Sequence, residues 1–180
     1  VNNTLKGYKD AGITAGDVAE GTMGAIALGT GANINNDASS YLNNAIAIGT
    51  NATAGRNNAV AIGLNSKALG ENSLALGYAA ETSNGGWSSV ALGYRSKAND
   101  NWVVSVGNGA NDEYRRIINV ADGKYDHDAV TVGQMSNLIG FNFGNDSGNS
   151  LSSQLRNGAK SIIGAINKNS RAIESINSKQ

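Results

Sequence analysis

A five-residue phrase returns six times along this chain: Ala25-Ile26-Ala27-Leu28-Gly29, Ala45-Ile46-Ala47-Ile48-Gly49, Ala59-Val60-Ala61-Ile62-Gly63, Ser73-Leu74-Ala75-Leu76-Gly77, Ser89-Val90-Ala91-Leu92-Gly93 and a worn copy, Val103-Val104-Ser105-Val106-Gly107. The closing glycines at 29, 49, 63, 77, 93 and 107 are separated by 20, 14, 14, 16 and 14 residues. A fixed period with insertions at one point of the cycle describes a solenoid, in which each repeat is one unit stacked on the next. The two long steps place extra residues in one connecting segment, around Ile34 to Leu42 and around Asn84 to Trp87. Both are expected to be surface loops.

Within the phrase, bulky and small residues alternate strictly, as in Val60 and Ile62 against Ala59, Ala61 and Gly63. Period-two alternation over so short a run is a β-strand with one residue class on each face. Neither face is charged, so both are expected to be buried. The reading that follows puts the branched side chains between the walls of one coil and leaves the alanine and glycine face for close approach of another copy. Ala47, Ala61, Ala75 and Ala91 are accordingly expected at an interface between chains. The other half of each repeat, such as Thr50-Asn51-Ala52-Thr53-Ala54-Gly55-Arg56, alternates small with polar residues and reads as an outer strand facing water. Six coils spaced by about 4.8 Å are too slim to bury enough surface as a single chain.

The formal net charge of zero excludes the basic patch of a nucleic-acid binder and the polybasic face of a peripheral membrane protein. The 180 residues contain no cysteine, hence no disulfide framework or thiol chemistry, and one histidine. No basic-then-apolar start resembles a signal peptide, and the chain is expected to be an excerpt of a longer protein. His127 lies between Asp126 and Asp128, which is a weak metal triplet and is read as a polar loop residue. Gly158-Ala159-Lys160-Ser161 lacks the upstream glycine of a phosphate-binding loop. Scattered carboxylates and a lone histidine leave no catalytic constellation and call for no metal.

A fourteen-residue period is not a multiple of the six that acyltransferase hexapeptide helices require, and neither Gly-Gly-x-Gly-x-Asp turns nor Thr-x-Thr arrays occur. Asn72-Ser73-Leu74-Ala75-Leu76-Gly77 and Asn58-Ala59-Val60-Ala61-Ile62-Gly63 resemble the Asn-Ser-Val-Ala-Ile-Gly signature of the YadA-like head of trimeric autotransporter adhesins. Arg116-Ile117-Ile118-Asn119-Val120-Ala121-Asp122-Gly123 and Asp128-Ala129-Val130-Thr131-Val132-Gly133-Gln134-Met135 resemble the neck of the same family, with His127, Thr131 and Met135 as modest departures. The resemblance implies a mostly β chain with a C-terminal α segment: a trimeric left-handed parallel β-roll over residues 1–112, a neck over 113–135, an irregular connector over 136–150 and a coiled-coil stalk over 151–180.

From Leu151 onward the period becomes helical. Leu155, Ala159, Ile162, Ile166, Asn169, Ile173, Ile176 and Gln180 alternate steps of four and three, an a/d heptad seam whose isoleucines disfavour a dimer. Ile162, Ile166, Ile173 and Ile176 are therefore expected at the interface of a homotrimer. Asn169 stands at a d position, and Ile166-Asn167-Lys168-Asn169-Ser170 resembles the family's Ile-x-x-Asn-Thr, which implies that three inward amides bind an axial anion such as chloride.

Trp87, in the second insertion, is a candidate adhesive anchor, because exposed aromatics dominate binding hot spots, whereas Trp102 is expected to pack over the end of the solenoid. The resemblance implies a non-catalytic adhesin segment at the bacterial cell surface. It would attach to host extracellular matrix, cells or abiotic surfaces, and be anchored in the outer membrane through a C-terminal barrel absent here. A trimeric phage tail-fibre segment and a solenoid polysaccharide-active enzyme are the competing readings.

Overall fold

The computed structural model describes residues 16–18, 22–34, 43–139, 166–167 and 169–180. The chain divides into two compact units, Val1–Arg116 and Ile117–Gln180.

In the first unit the chain alternates between two parallel sheets. One contains β2 (Ile26–Leu28), β4 (Ile46–Ile48), β6 (Val60–Ile62), β8 (Leu74–Leu76), β10 (Val90–Leu92) and β12 (Val104–Ser105), neighbours in that order. The other contains β1 (Asp17–Val18), β3 (Asn33–Ile34), β5 (Thr53–Ala54), β7 (Lys67–Ala68), β9 (Glu81–Thr82) and β11 (Lys97–Ala98). Equivalent residues pair without slippage, as in Ala47↔Ala61↔Ala75↔Ala91. Each coil thus contributes one strand to each wall of a solenoid. Ile34, expected in a loop, ends β3 and is buried, while residues 35–42 of that insertion lie outside the described residues.

The alternation is real, but the expected assignment of its faces is reversed. Ala47, Ala61, Ala75 and Ala91 are 0% exposed within the single chain, so they have no surface to offer a partner. They point into their own coil. Each central coil has four such inward positions: Ala45, Ala47, Ala52 and Ala54, then Ala59, Ala61, Ser66 and Ala68, and so on to Ser89, Ala91, Ser96 and Ala98. Two walls joined by corners this short leave a narrow lumen lined almost entirely by alanine and serine, the larger exceptions being Thr82 and, in the first described coil, Ile34. The largest fully buried side chain among the described residues is Thr82. The bulky members of each phrase, among them Val60, Ile62, Leu74 and Leu76, therefore project outward and are half-buried or exposed.

Hydroxyls inside this lumen find carbonyl partners, as buried polar groups must. Ser66 donates to the Gly63 carbonyl at 2.9 Å, Ser73 to Gly70 at 2.6 Å, Ser89 to Asp100 at 2.6 Å and Ser96 to Leu92 at 2.6 Å. The corners explain the recurrent glycines and asparagines. Gly63 sits at φ 129°, and a Cβ there would lie 2.5 Å from the carbonyl oxygen of Gly77 in the next coil. Asn44, Asn58 and Asn72 adopt φ of 57°, 55° and 55°, the left-handed region asparagine tolerates better than other non-glycine residues. Their amides form a ladder, Asn44 donating to Asn58 at 3.3 Å and Asn58 to Asn72 at 2.8 Å.

In the second unit, α1 (Val132–Ile139) continues through residues 136–139, where an irregular connector was expected. A reciprocal capping box opens it: Thr131 Oγ1 accepts from the Gln134 amide at 3.2 Å, and Gln134 Oε1 accepts from the Thr131 amide at 3.1 Å. Gln134 also clamps Gly123, accepting from its amide and donating to its carbonyl, both at 2.8 Å. Asp128 Oδ2 accepts from the amides of Lys124 at 2.8 Å and Tyr125 at 2.9 Å, which turns the preceding loop. Residues 169–177 are helical as well.

Ala61→Leu forces an isobutyl group into a filled layer and is expected to destabilise the chain by ~1–3 kcal/mol, read as a fall in thermal midpoint. An unchanged midpoint would mean that Ala61 faces outward. Gly63→Ala meets both a clash and an unfavourable φ, and should lose more than ~1 kcal/mol in chemical denaturation. For Asp128, the Lys124 and then the Tyr125 amide lower the carboxyl pKa below its ordinary value. The turn is therefore favoured by the ionised form above the ordinary pKa and loses that support as pH falls through the lowered one. Acid titration should shift the Lys124 and Tyr125 amide resonances together, and Asp128→Asn should abolish the titration.

Candidate adhesive surface

Because the lumen of the central coils takes only small side chains, their large apolar residues are displayed. On the outer face of the first sheet, Ile26, Leu76, Leu92 and Val104 are 44%, 37%, 42% and 69% exposed, with Ile46, Ile48, Val60, Ile62, Leu74 and Val90 half-buried between them. Parallel in-register pairing aligns these residues in two columns. The result is a continuous apolar face on one wall.

The residue after each corner glycine forms a further column: Thr50, Leu64, Tyr78 and Tyr94. Tyr78 and Tyr94 stack with ring centroids 5.4 Å apart and planes 12° from parallel, and Arg95 lies 5.8 Å over the Tyr94 ring. This column follows the corner glycines, with steps of 14, 14 and 16 residues, and so was legible in the sequence although not expected there. Arg95 pairs with Glu113 at 3.3 Å, and Lys97 with Glu81 at 3.5 Å. Contact with Tyr94 first, and the Glu113 charge second, raise the Arg95 pKa, so its charge is secure. Ala79, Glu81, Arg95, Lys97, Asn108, Ala110 and Asn111 line a shallow cleft of about 260 Å³ beside them.

The second insertion is a surface turn, as expected. Trp87 is held by its own loop, its indole Nε1 donating to the Asn84 carbonyl at 3.1 Å and its amide to Asn101 Oδ1 at 2.7 Å, yet its side chain remains 55% exposed. Trp102 does not pack over the solenoid end as expected. Its amide donates to the Trp87 carbonyl at 3.0 Å, its φ is 62°, and 81% of it is exposed. A left-handed backbone at this corner turns the indole away from the coil. Both tryptophans thus stand at the same corner of the last two coils.

The remaining sequence candidates fall in the second unit. Ile166, Ile173 and Ile176 are 58–60% exposed, Asn169 is exposed on the same helical stretch, and Ile162 lies outside the described residues. His127 is exposed, and its neighbour Asp128 is engaged by backbone amides rather than turned to a shared ligand. Among the described residues, no group of three or more metal-ligating side chains converges.

The family described as the YadA head domain repeat matches residues 43–66, 57–80, 68–84 and 88–110, the stretch occupied by the stacked coils. The collagen-binding domain of the Yersinia adhesin YadA, known from a crystal structure, is similar at 30% identity and a TM-score of 0.55. The alignment covers 70% of this chain and 73% of that one. Comparison with curated proteins finds no significant match. A repeat matched coil by coil, together with a fold and sequence shared over most of a solved adhesin domain, places the chain in the YadA-like family of trimeric autotransporter adhesins.

Proposed function

We propose that this chain is the adhesive head, neck and beginning of the stalk of a homotrimer displayed at the bacterial cell surface, binding extracellular-matrix proteins with collagen as the first candidate. The observation that carries the trimer is the apolar outer face of the first sheet. Two columns of Ile, Val and Leu on one wall form a contiguous, partly exposed apolar surface of the kind that marks an interaction face. Three copies turning that face to a common axis would bury it. The isoleucine seam of Ile166, Ile173 and Ile176 asks for the same number of chains. The collagen reading rests on the described binding of the similar Yersinia domain. Trp87, exposed on a surface turn and hydrogen-bonded to Asn84 and Asn101, is the proposed anchor for a ligand. Anchoring in the outer membrane would come from a part of the protein beyond this chain.

Asn169 completes the reading. Three copies on an axis otherwise lined by isoleucine would leave amides without partners, at ~1–3 kcal/mol each. A chloride ion accepting from all three satisfies them. The reason to keep asparagine there would be a stalk less stable than an all-isoleucine one, and so easier to hold unfolded during export.

Sedimentation equilibrium should return three times the 18.4 kDa chain mass. Leu76→Asp together with Leu92→Asp should yield monomers without disturbing the lumen, and a folded wild-type monomer at micromolar concentration would defeat the assembly. Replacing Trp87 with alanine should leave the trimer intact and weaken binding in a screen against collagens, laminin and fibronectin. Unchanged binding would make the loop ornamental. Crystals soaked in bromide should show an anomalous peak on the three-fold axis at the Asn169 layer, and Asn169→Ile should remove it while raising the melting temperature.

A further inference from the structure

The corner of each coil is built on a regular column of hydrogen bonds. The amide of Asn51 donates to the Thr30 carbonyl at 2.9 Å, Asn65 to Thr50 at 2.9 Å, Ala79 to Leu64 at 2.9 Å and Arg95 to Tyr78 at 2.8 Å. The next carbonyl in that column belongs to Tyr94, and no further corner exists to supply its donor. After Val106 the chain cuts across instead. Gly107 passes to the second sheet, where its carbonyl accepts from the Lys97 amide at 2.8 Å, the position held by Ser96 for Glu81 one coil earlier. The chain then makes a hairpin closed by Asn108 and Glu113. The corner that would have completed the sixth coil is skipped.

Arg115 fills it. Its Nη2 donates to the Tyr94 carbonyl, the one left over at the end of the column, and its Nη1 reaches the Val106 carbonyl and, at 3.3 Å, Ser96 Oγ. A second column gives the same result independently. A Cβ built on Gly49, Gly63 or Gly77 would meet the peptide of the next corner glycine at 2.7, 2.5 and 2.8 Å. At Gly93 the same vector meets no peptide: its neighbours are Ser96 Oγ at 3.5 Å and the Arg115 guanidinium, Nε at 3.7 Å and Cζ at 3.8 Å. A guanidinium is planar and delocalised like a peptide, with several in-plane donors in a fixed fork. It lies on the side of Gly93 that the next corner peptide would cover, and it donates to the Tyr94 carbonyl as the amide of that corner would have done.

We propose that Arg115 is the terminator of the roll: its guanidinium stands in for the missing corner peptide of the sixth coil and closes an edge that would otherwise accept a strand from a second copy. Unpaired carbonyls at the end of a parallel stack are a template for edge-to-edge association, and proteins cover such edges. Here the cover is one side chain, bonded to the backbone of the fifth corner (Tyr94) and to the start of the exit from the sixth strand (Val106). Lysine cannot replace it, because a single ammonium has no planar fork to lay over Gly93 while reaching both carbonyls.

The test needs the wild-type chain and two variants. In native-state hydrogen exchange of the wild type, the amides of Gly93 and Arg95 in the last corner should be protected to within ~10-fold of Gly63 and Asn65 in a central one, since a closed end does not fray. In Arg115→Ala and Arg115→Lys the last-corner amides should exchange at least ~10-fold faster while the central ones are unchanged. Sedimentation velocity on the variants should reveal species larger than the wild-type particle that grow with concentration. Millimolar guanidinium should restore the wild-type profile to Arg115→Ala. If a variant fails to fold, the wild-type exchange pattern decides alone. A last corner that already exchanges ~100-fold faster than the centre overturns the proposal, as do variants whose corner exchange and sedimentation match the wild type.

Discussion

The width of the lumen governs this molecule. Two short parallel walls joined by tight corners leave room for four small side chains per coil and nothing larger than threonine at the fully buried positions. Alanine and serine there are a steric requirement, and each serine hydroxyl is matched to a carbonyl of its own coil or of the adjacent turn. The corners must be equally tight. That requirement puts glycine at φ near 125–131° in the central coils and asparagine in the left-handed region, where side-chain amides link one coil to the next.

A core made of methyl and hydroxymethyl groups buries little apolar area per residue, so at about 25 cal/mol per Å² its hydrophobic contribution is modest. The large apolar side chains that would ordinarily form a core are on the outside. Ile, Val and Leu at alternate positions of the first sheet are held in register by parallel pairing and offered as one face. Membership in a family of trimeric adhesins gives that arrangement its sense. The chain keeps its interior small and places its apolar bulk on the outer face of one wall.

Ends are the recurring problem of a stacked fold, and local hydrogen-bond geometry handles them. At the end of the roll, the Asn108–Glu113 hairpin and the Arg115 guanidinium occupy groups that a further coil would have paired. At the start of α1, Thr131 and Gln134 satisfy each other's amides, and the same glutamine ties Gly123 to the helix. Both devices use one side chain to imitate backbone. Both sit in stretches whose sequence shows no repeat.

Periodicity alone carried the solenoid, because a side chain's face alternates with residue number and a stacked coil repeats its corners at a constant interval. The phrase ending at Gly29, Gly49, Gly63, Gly77, Gly93 and Gly107 could specify little else. Which class of residue faced inward was not legible. Alternation marks two faces without saying which is inside, and the choice between Ala61 and Ile62 rests on the separation of the walls, a distance set by corner geometry. The Tyr78–Tyr94 stack was spaced regularly enough to be found, whereas the exposure of Trp102 depends on one left-handed φ that tryptophan rarely adopts. Arg115 was beyond sequence reading for a different reason. It is separated by 21 residues from the Tyr94 carbonyl it closes, and only folding brings a side chain from outside the repeat into the place where the repeat stops.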